Sequence, residues 1–286
     1  MGAVVMNYLL KDNGSWDRFV VITDLDGCLL DPVTYDYGEA LDKIYMLQKM
    51  DIPIVFCSTK TRVEQEYFRN RLGIKDPFIV ENGAAIFIPI NYFRNVKIDY
   101  HKVLEYYQVI EYGLPTREII RRISDLISNY KEYIRLLHRM SIEEIMAITG
   151  LPSEQAGLAK IRDYSLVFYP LDHYRANEFI ERIKARGLRV ITGGGILYTI
   201  TGDHDKGVAT RKIIELYRSL YGEVIFIGIG DSPIDVPMLK AVDIPVILGA
   251  RIDPVKHGLI DNENLVIVDR RGPVGWSRAL EIIFKT

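Results

Sequence analysis

The chain has 286 residues, of which 48% are hydrophobic and 26% are charged, and its formal net charge is −2. This length can bury a sizeable core and predicts one large or two modest domains, while the balanced charge and the lack of a basic tract argue against nucleic acid as a partner. No apolar run is long enough to span a membrane, and the N-terminal segment MGAVVMNYLL has neither a basic leader nor a small-residue cleavage site, so we expect a cytoplasmic protein that does not bind membranes.

The most informative segment is VVITDLDG, residues 20–27. An apolar run typical of a buried strand ends there in two carboxylates, Asp24 and Asp26, followed by Gly27. Side chains alternate across a strand and a glycine lets the backbone bend, so we expect both carboxylates at one edge of a sheet. A plain turn is the alternative, because Asp and Gly are common turn formers.

The next strand signal is IPIVFCS, residues 52–58. Its continuous apolar run is typical of a strand buried on both faces. It ends in the hydroxyl of Ser58, which could also cap the helical pattern that follows at about 61–73. A helical pattern at about 38–50 and a strand at 77–81 complete a βαβ series whose loops share one edge.

After residue 89 the pattern changes to amphipathic helices mixed with strands. Thr116 is a candidate cap for a long helix, and Ser141 and Glu144 match a capping box for a shorter one. Strands are predicted at 166–169, 188–192 and 196–201. The long helical stripe consists of Ile119, Ile123, Leu126, Ile127, Tyr130, Ile134 and Leu137, and a later helix, ending at Gly187, is marked by Ala176, Phe179, Ile180 and Ile183.

Three further polar groups follow in the last third of the chain. Lys206 lies in the first turn of a predicted helix, and a buried strand at 224–229 runs into Asp231 and Asp235. Taken alone, Lys206 is an ordinary solvated charge and Asp231 a turn former. Four junctions that each carry a chemically complementary group are hard to obtain by chance, so we interpret them as one site.

The ordered set of DLDG, Ser58, Lys206 and GDSPID resembles the haloacid dehalogenase superfamily of aspartate-nucleophile phosphatases. The resemblance extends from about Arg18 to the end of the chain. Within the superfamily, several segments are similar to the mannosyl-3-phosphoglycerate phosphatases: CSTKTRVEQE (57–66), ENGAAIFIP (81–89), RDYS (162–165), DKG (205–207) and GDSPIDVPML (230–239).

The resemblance implies an α/β fold with two domains. Residues 1–89 and 202–286 would form a doubly wound, Rossmann-like parallel-sheet core. Residues 90–201 would form an inserted α/β cap domain that determines substrate specificity. Ligands in such open sheets bind at the carboxyl ends of the strands, so we expect the site there, beneath the cap.

The resemblance also implies the catalytic roles. Asp24 would be the nucleophile and pass through an aspartyl-phosphate. Asp26 would act first as general acid toward the leaving oxygen and then as general base for water. Ser58 and Lys206 would bind the phosphoryl oxygens.

Magnesium is the implied cofactor, since a phosphate ester crowds the site with negative charge and Mg²⁺ prefers oxygen ligands. Asp24, the main-chain carbonyl of Asp26, and Asp231 would supply ligands. Asp235 would be a further ligand or would support the others. One departure touches this region: Ile234 stands where the family usually has Asn.

Selectivity must come from whatever closes over the phosphate site. The family hairpin typically reads Gly-Gly-Arg-Phe-Tyr, and here Ile196 replaces the arginine. We therefore expect Lys60 and Arg62 to meet a substrate carboxylate, with a broader substrate range as the alternative. The full set of predicted substrate-binding residues is Ser58, Thr59, Lys60, Arg62, Gly194 and Gly195.

The predicted function is a Mg²⁺-dependent phosphatase that converts mannosyl-3-phosphoglycerate, a small phosphorylated sugar-glycerate, to mannosylglycerate and phosphate. The alternatives are a phosphatase of glucosyl-3-phosphoglycerate or another sugar phosphate, and a phosphomannomutase-like phosphotransferase. A signalling receiver would be far shorter and would lack the Asp231 and Asp235 pair, and a degenerate phosphate-binding module would have lost a catalytic group. The oligomeric state stays open.

The two cysteines, Cys28 and Cys57, lie near the predicted active-site edge. We expect two reduced, half-buried thiols, with a redox-regulated pair as the alternative. Cys28 stands where the family commonly has Thr, a change between small residues from which we expect little effect.

Overall fold

Two β-sheets organise the chain, and the computed structural model describes residues 18–193 and 196–285. Helices connect most of the parallel strands, as crossover connections require. The strands are β1 (Phe19–Thr23), β2 (Ile54–Cys57), β3 (Phe78–Val80), β4 (Ala85–Pro89), β5 (Lys102–Leu104), β6 (Tyr107–Glu111), β7 (Ile134–Leu136), β8 (Ser165–Pro170), β9 (Arg189–Gly193), β10 (Leu197–Thr201), β11 (Ile225–Gly230), β12 (Ile244–Leu248) and β13 (Val266–Val268).

Side-chain hydrogen bonds cap several of the helices at their N-termini. Ser141 and Glu144 form the predicted capping box, and a second capping box joins Thr61 to Glu64. None of the helices in the described ranges is both long and apolar enough to cross a membrane. The helices are α1 (Leu41–Lys49), α2 (Arg62–Leu72), α3 (Thr116–Tyr130), α4 (Ile142–Thr149), α5 (Ser153–Ala159), α6 (His173–Lys184), α7 (Lys206–Tyr221), α8 (Val236–Leu239) and α9 (Gly272–Phe284).

The larger sheet is mainly parallel. Its described strands follow the order β13-β12-β11-β1-β2-β3-β4-β6-β5. The strands from β13 to β3 pair in parallel, and β4, β6 and β5 are added antiparallel at one edge. This confirms the predicted α/β fold and brings the carboxyl ends of the parallel strands to one edge.

Helices cover both faces of the larger sheet. Side chains alternate along β1, so both faces are apolar and each packs against helices. Phe19 and Val21 point into one apolar cluster, which includes residues of α1, α2 and α9. Val20 and Ile22 point into a second cluster, which includes residues of α7 and α8. Burial on both faces leaves the strand ends as the accessible part of the sheet, so the polar chemistry collects there.

The smaller unit, residues 116–201, is built on the antiparallel sheet β7-β8-β10-β9. Helices α3 and α6 pack on one face of this sheet with Leu166 and Phe168. Helices α4 and α5 pack on the other face with Val167. Tyr35, from the loop after β1, packs against this second cluster and donates a hydrogen bond to the carbonyl of Thr149. The smaller unit therefore rests on the loop that follows Asp24.

Two details of the predicted long helix are wrong. Helix α3 ends at Tyr130, and Ile134 pairs with Pro170 in strand β7. Apolar residues at 134 and 136 fit the period of a strand as well as that of a helix. Thr116 is the first residue of α3 and not its cap, and its hydroxyl donates to the carbonyls of Arg162 and Ser165.

The sheet topology bears on the domain boundary that we placed at residue 90. Strands β5 and β6 lie within the predicted cap, yet β6 pairs with β4 in the larger sheet. The chain enters the smaller unit only at α3, after the turn at Gly113. We therefore propose a first boundary near residue 115 and retain the second boundary near residue 202.

The cysteines differ from the prediction in their burial. Both thiols are free and fully buried, whereas half-buried thiols were expected. Cys28 packs in the cluster on one face of the larger sheet and Cys57 in the cluster on the other face. This separation favours two independent thiols over a redox pair.

Candidate active site

Every parallel strand of the larger sheet leads into a polar residue at its carboxyl end. The loops that follow these strands lie near one another because adjacent parallel strands end at the same edge of the sheet. The residues are Asp24 after β1, Ser58 after β2, Glu81 after β3, Asp231 after β11, Arg251 after β12 and Arg271 after β13.

A buried lysine joins the first and last predicted motifs. The Nζ atom of Lys206 lies 2.8 Å from Oδ1 of Asp24 and 2.5 Å from Oδ1 of Asp235. The Lys206 and Asp235 side chains are fully buried, and that of Asp24 is 7% exposed. The cap of α7 at Asp205 places Lys206 at the first helical position, so this contact is fixed by the start of a helix.

Burial of Asp24 raises the pKa of its carboxyl to about 7, although Lys206 opposes this shift. The neighbouring carboxylates of Asp235, Asp231 and Asp26 also raise the pKa of Asp24. Burial disfavours the charge of Lys206, but Asp235 and Asp24 raise its pKa above the usual range. A concentration of like charges of this kind is stabilised by any cation that enters the site.

Asp26 lies closer to solvent and has its own lysine. Its side chain is 39% exposed, and its Oδ1 lies 3.0 Å from Nζ of Lys60. Lys60 is buried and lies 3.6 Å from Glu64. Burial disfavours the charge of Lys60, but Asp26 and Glu64 raise its pKa above the usual range. Lys60 is therefore a fixed cation beside the predicted acid, and its charge is already compensated.

Ser58 is fully buried and anchored by its backbone. Its N–H donates to the carbonyl of Ile79, and its carbonyl accepts from Asn82. Its hydroxyl oxygen accepts from the N–H of Lys60 at 3.3 Å, which leaves the hydroxyl proton to donate elsewhere. The alternative role of Ser58 as a helix cap is wrong, because Thr61 caps α2.

Three buried side chains could hold a metal ion. Ligand atoms of Asp24, Cys28 and Asp231 lie within 4.8 Å of one another. The two carboxylates fit a hard cation such as Mg²⁺. Cys28 was not among the predicted ligands, and burial raises the pKa of its thiol, which favours the neutral form.

Asp235 supports the site through hydrogen bonds from both of its oxygens. Oδ1 contacts Lys206, and Oδ2 accepts from the N–H groups of Asp231 and Ser232 and from the Ser232 hydroxyl. Of the two roles predicted for Asp235, this arrangement favours support of the ligands over direct ligation. Ile234 is half-buried in the short 3₁₀ turn Pro233–Asp235.

The predicted substrate-binding cations are both held in ion pairs. Nη1 of Arg62 lies 3.0 Å from Glu66, one turn along α2, and 3.6 Å from Glu105. Its Nε is buried and has no hydrogen-bond partner among the described residues. The carbonyl of Thr59 accepts from Arg162. Gly194 and Gly195 lie outside the described residues, and the neighbouring Ile196 is 48% exposed.

Sequence reasoning missed Glu81, which joins the two units. Its buried carboxylate accepts hydrogen bonds from the N–H groups of Asp163 and Tyr164 and from the hydroxyl of Ser165. Tyr164 inserts into the core cluster of the larger sheet. The segments ENGAAIFIP and RDYS therefore meet in space.

Sequence reasoning also missed Arg271 and Arg251, which contact Asp231. Nε and Nη2 of Arg271 lie 2.7 and 2.5 Å from Oδ2 of Asp231, and Nη1 of Arg251 lies 3.5 Å from the same atom. The signal that could have found them is position, because both arginines follow strands at the edge that carries the site. Burial raises the pKa of Asp231, whereas Arg271 lowers it.

Known proteins resemble this chain in sequence and in fold. The sequence profile of the haloacid dehalogenase-like hydrolases matches residues 21–258. A glucosyl-3-phosphoglycerate/mannosyl-3-phosphoglycerate phosphatase of Methanococcoides burtonii is 38% identical over 264 residues, which are 92% of this chain and 96% of the relative. A mannosyl-3-phosphoglycerate phosphatase of Pyrococcus furiosus is 36% identical over 230 residues, 80% of this chain and 90% of the relative.

A solved haloacid dehalogenase-like hydrolase from Bacteroides thetaiotaomicron has the same fold, with a TM-score of 0.67 at 15% identity over 94% of this chain and 100% of that chain. The extent of the profile match and the identity to the phosphatases agree with the buried aspartate, lysine and second aspartate at the sheet edge. The chain therefore belongs to the haloacid dehalogenase-like hydrolases, and it is a phosphoric monoester hydrolase that resembles the mannosyl-3-phosphoglycerate phosphatases.

Proposed function

We propose that this protein hydrolyses mannosyl-3-phosphoglycerate to mannosylglycerate and phosphate in the cytoplasm. The observation that carries the proposal is the buried Asp24, held 2.8 Å from Lys206 and beside Asp231 at the carboxyl edge of the sheet. The names of relatives that are 36–38% identical supply the substrate class.

In the first step, an oxygen of Asp24 attacks the phosphorus atom, and the bond from phosphorus to the glycerate oxygen breaks. Asp26 gives its proton to that leaving oxygen. In the second step, water attacks the aspartyl-phosphate, Asp26 takes a proton from the water, and the phosphorus–Asp24 bond breaks. Phosphate leaves and both carboxyl groups return to their starting states.

The buried cations suit these steps. Lys206 orients Asp24 and offers positive charge to the phosphoryl oxygens, and the Ser58 hydroxyl adds a hydrogen bond. Lys60, 3.0 Å from Asp26, holds that side chain in place. Asp26 is the more exposed of the two reacting carboxyls, which suits a group that must exchange protons with water.

Mg²⁺ fits the oxygen donors of this site. Asp24, Asp231 and the main-chain carbonyl of Asp26 would hold it, with Asp235 in support. Bound there, the ion would neutralise charge on the phosphate group. Activity should disappear with excess chelator and return when Mg²⁺ is added, and full activity in excess chelator would contradict the proposal.

The proposed binding site for the substrate carboxylate is the segment after β2, including the start of α2. Lys60 is committed to Asp26 and Glu64, which leaves Arg62 as the better candidate. The buried Nε of Arg62 has no hydrogen-bond partner in the described ranges, and a carboxylate can bind the Nε edge of a guanidinium. Ser58, Thr59, Gly194 and Gly195 would complete the binding surface.

Glucosyl-3-phosphoglycerate is the second candidate substrate, because the relative from Methanococcoides burtonii carries both sugars in its name. The two substrates share the phosphoglycerate portion, so the core site does not separate them. Another sugar phosphate, or transfer of the phosphoryl group back to a sugar, is the remaining alternative.

A phosphate-release screen over both glycosyl-phosphoglycerates and simple sugar phosphates tests the proposal. The Arg62→Ala variant should raise KM for the phosphoglycerates far more than for the simple sugar phosphates, since only the former carry a carboxylate. Arg71→Ala is the matched control, because Arg71 lies on the same helix and its side chain is 52% exposed. Equal effects of Arg62→Ala on both classes would favour the broader substrate range.

A further inference from the structure

Arg271 binds one of the predicted metal ligands through two nitrogens. Its Nε and Nη2 both approach Oδ2 of Asp231, at 2.7 and 2.5 Å. The Asp231 side chain is 2% exposed and the Arg271 side chain 30% exposed. The two residues are 40 positions apart in sequence and follow different strands. Their contact is therefore a product of the fold.

The backbone around this arginine leaves space for it. A Cβ atom on Gly27 would lie 2.5 Å from Nη2 of Arg271, and one on Gly249 would lie 2.5 Å from its Cγ. Both glycines have positive φ angles, which side chains of other residues rarely adopt. The N–H of Gly272 donates to the carbonyl of Gly27 at 2.7 Å. The arginine is thus held against the loop that carries Asp24 and Asp26.

The other carboxylates of the site have lysine partners. Asp24 and Asp235 share Lys206, and Asp26 contacts Lys60. Asp231 is served by Arg271 and, more distantly, by Arg251. A buried carboxylate without such a partner would be free to rotate and costly to ionise. Arg271 is therefore the cationic partner of Asp231, as Lys206 is the cationic partner of Asp24.

We propose that Arg271 is a positioning residue for the cation site, which orients Asp231 by binding Oδ2 and leaves Oδ1 as the ligand oxygen. This inference rests on the proposed function only in its assumption that Asp231 binds a divalent cation. Partners of metal-binding carboxylates commonly contribute about 10- to 100-fold to metal affinity.

The opposite reading is that Arg271 competes with the cation for Asp231. An arginine that competes with the cation must separate easily from Asp231. Arg271 instead packs closely against Gly27 and Gly249. Arg251 fits that description better, since its side chain is 45% exposed and 3.5 Å from Asp231. The two readings predict opposite changes in metal affinity, so one measurement separates them.

The test is calorimetric titration of the purified, substrate-free protein with magnesium chloride. Arg271→Gln should weaken Mg²⁺ binding about 10- to 100-fold. Arg271→Lys should fall between, because an ammonium keeps the charge but not the two-donor fork. Arg278→Gln is the matched control, because Arg278 is 65% exposed and pairs with Glu281, and it should change the affinity by less than about threefold.

A second readout separates positioning from loss of structure. The Mg²⁺ concentration that gives half-maximal activity should rise in proportion to the measured dissociation constant, while kcat at saturating Mg²⁺ stays within about threefold of the wild type. A variant that merely unfolds loses kcat at every Mg²⁺ concentration. If Arg271→Gln does not fold, the intermediate affinity expected of Arg271→Lys carries the test.

Unchanged or tighter Mg²⁺ binding by a folded Arg271→Gln, beside a wild type that binds Mg²⁺, would overturn this inference alone. A wild type that binds no Mg²⁺ would overturn the proposed cation site and this inference with it.

Discussion

The two walls of the site bury charge in different ways. On the core wall, Lys206 links Asp24 and Asp235, which are 182 and 29 positions away in sequence. On the loop wall, residues 58–66, the charges pair locally: Lys60 with Glu64 and Arg62 with Glu66, each one helical turn apart. Lys60 also reaches across to Asp26, and this contact joins the two walls.

The two walls therefore differ in how much sequence change they tolerate. The core wall depends on three distant segments that meet only in the folded chain, so it fixes the reacting groups and tolerates little change. The loop wall is held by pairs close in sequence at the start of one capped helix, and a pair within the helix such as Arg62 with Glu66 is the kind that contributes modestly to stability. We expect chemistry to depend on the first wall and substrate choice on the second.

The strongest test of the core wall is Asp24→Asn, which replaces the nucleophile with a nearly isosteric amide. Phosphatase activity should fall about 10³-fold or more, and circular dichroism should show an intact fold. Asp203→Asn, at a side chain that is 92% exposed, is the control and should keep full activity. Residual activity of Asp24→Asn within about tenfold of the wild type would contradict the role of Asp24.

Lys206→Met tests whether the core wall also stabilises the fold. Removal of Lys206 leaves two buried carboxylates without a cation, so the free energy of unfolding should fall by about 3–5 kcal/mol. Chemical denaturation in the absence of metal measures this loss. Lys212→Met, on the same helix and paired with Glu215, should change stability by less than about 0.5 kcal/mol. An equal effect of the two substitutions would contradict the comparison.

The raised pKa of Asp24 predicts a pH dependence that the loop wall does not share. The pKa is about 7 in the folded protein against an ordinary value of 3.8. Between these values the folded state keeps a proton that the unfolded chain has released, so the metal-free protein should lose stability as pH rises from about 4 to about 7. Asp24→Asn should lack this part of the slope, and an identical pH profile would contradict the prediction.

Glu81→Ala tests the contact between the larger sheet and the smaller unit. It removes the acceptor for the N–H groups of Asp163 and Tyr164 and for the buried hydroxyl of Ser165, which should cost about 1–3 kcal/mol. Hydrogen exchange at Asp163 and Tyr164 should rise as well. Glu154→Ala, which breaks an exposed ion pair with Arg71 between the same two units, should cost about 1 kcal/mol or less. Equal costs would show that Glu81 has no special role.

Much of the fold was predictable because the parallel strands carry continuous apolar runs and the helices carry caps. Both the Asp24 turn and the Ser141 capping box are local signals. The end of α3 at Tyr130 was not predictable, because alternation and helical periodicity coincide at residues 134–137. Strand β5 was missed because its exposed, mixed composition resembles a loop, and strand β6 because only Val109 and Ile110 of its five residues are buried.

In the site, too, local signals were predictable and long-range contacts were not. Asp24, Ser58 and Asp231 end apolar strands and could be identified by position along the chain. The partners of these residues could not, since the contact of Arg271 with Asp231 depends on strand order in the sheet. The ion pairs of Arg62 illustrate a different limit, because the sequence shows a cation but not the carboxylates that already hold it.

Tyr164 has a consequence for any exchange of the smaller unit between relatives. Its ring belongs to the core cluster of the larger sheet, and its hydroxyl donates to Glu111 of β6. A chimera that replaces residues 116–201 as a block would therefore remove a side chain from the recipient's own interior. We expect such grafts to succeed only when the donor supplies an equivalent of residues 162–165 and the recipient keeps Glu81, so that these two segments are inherited together.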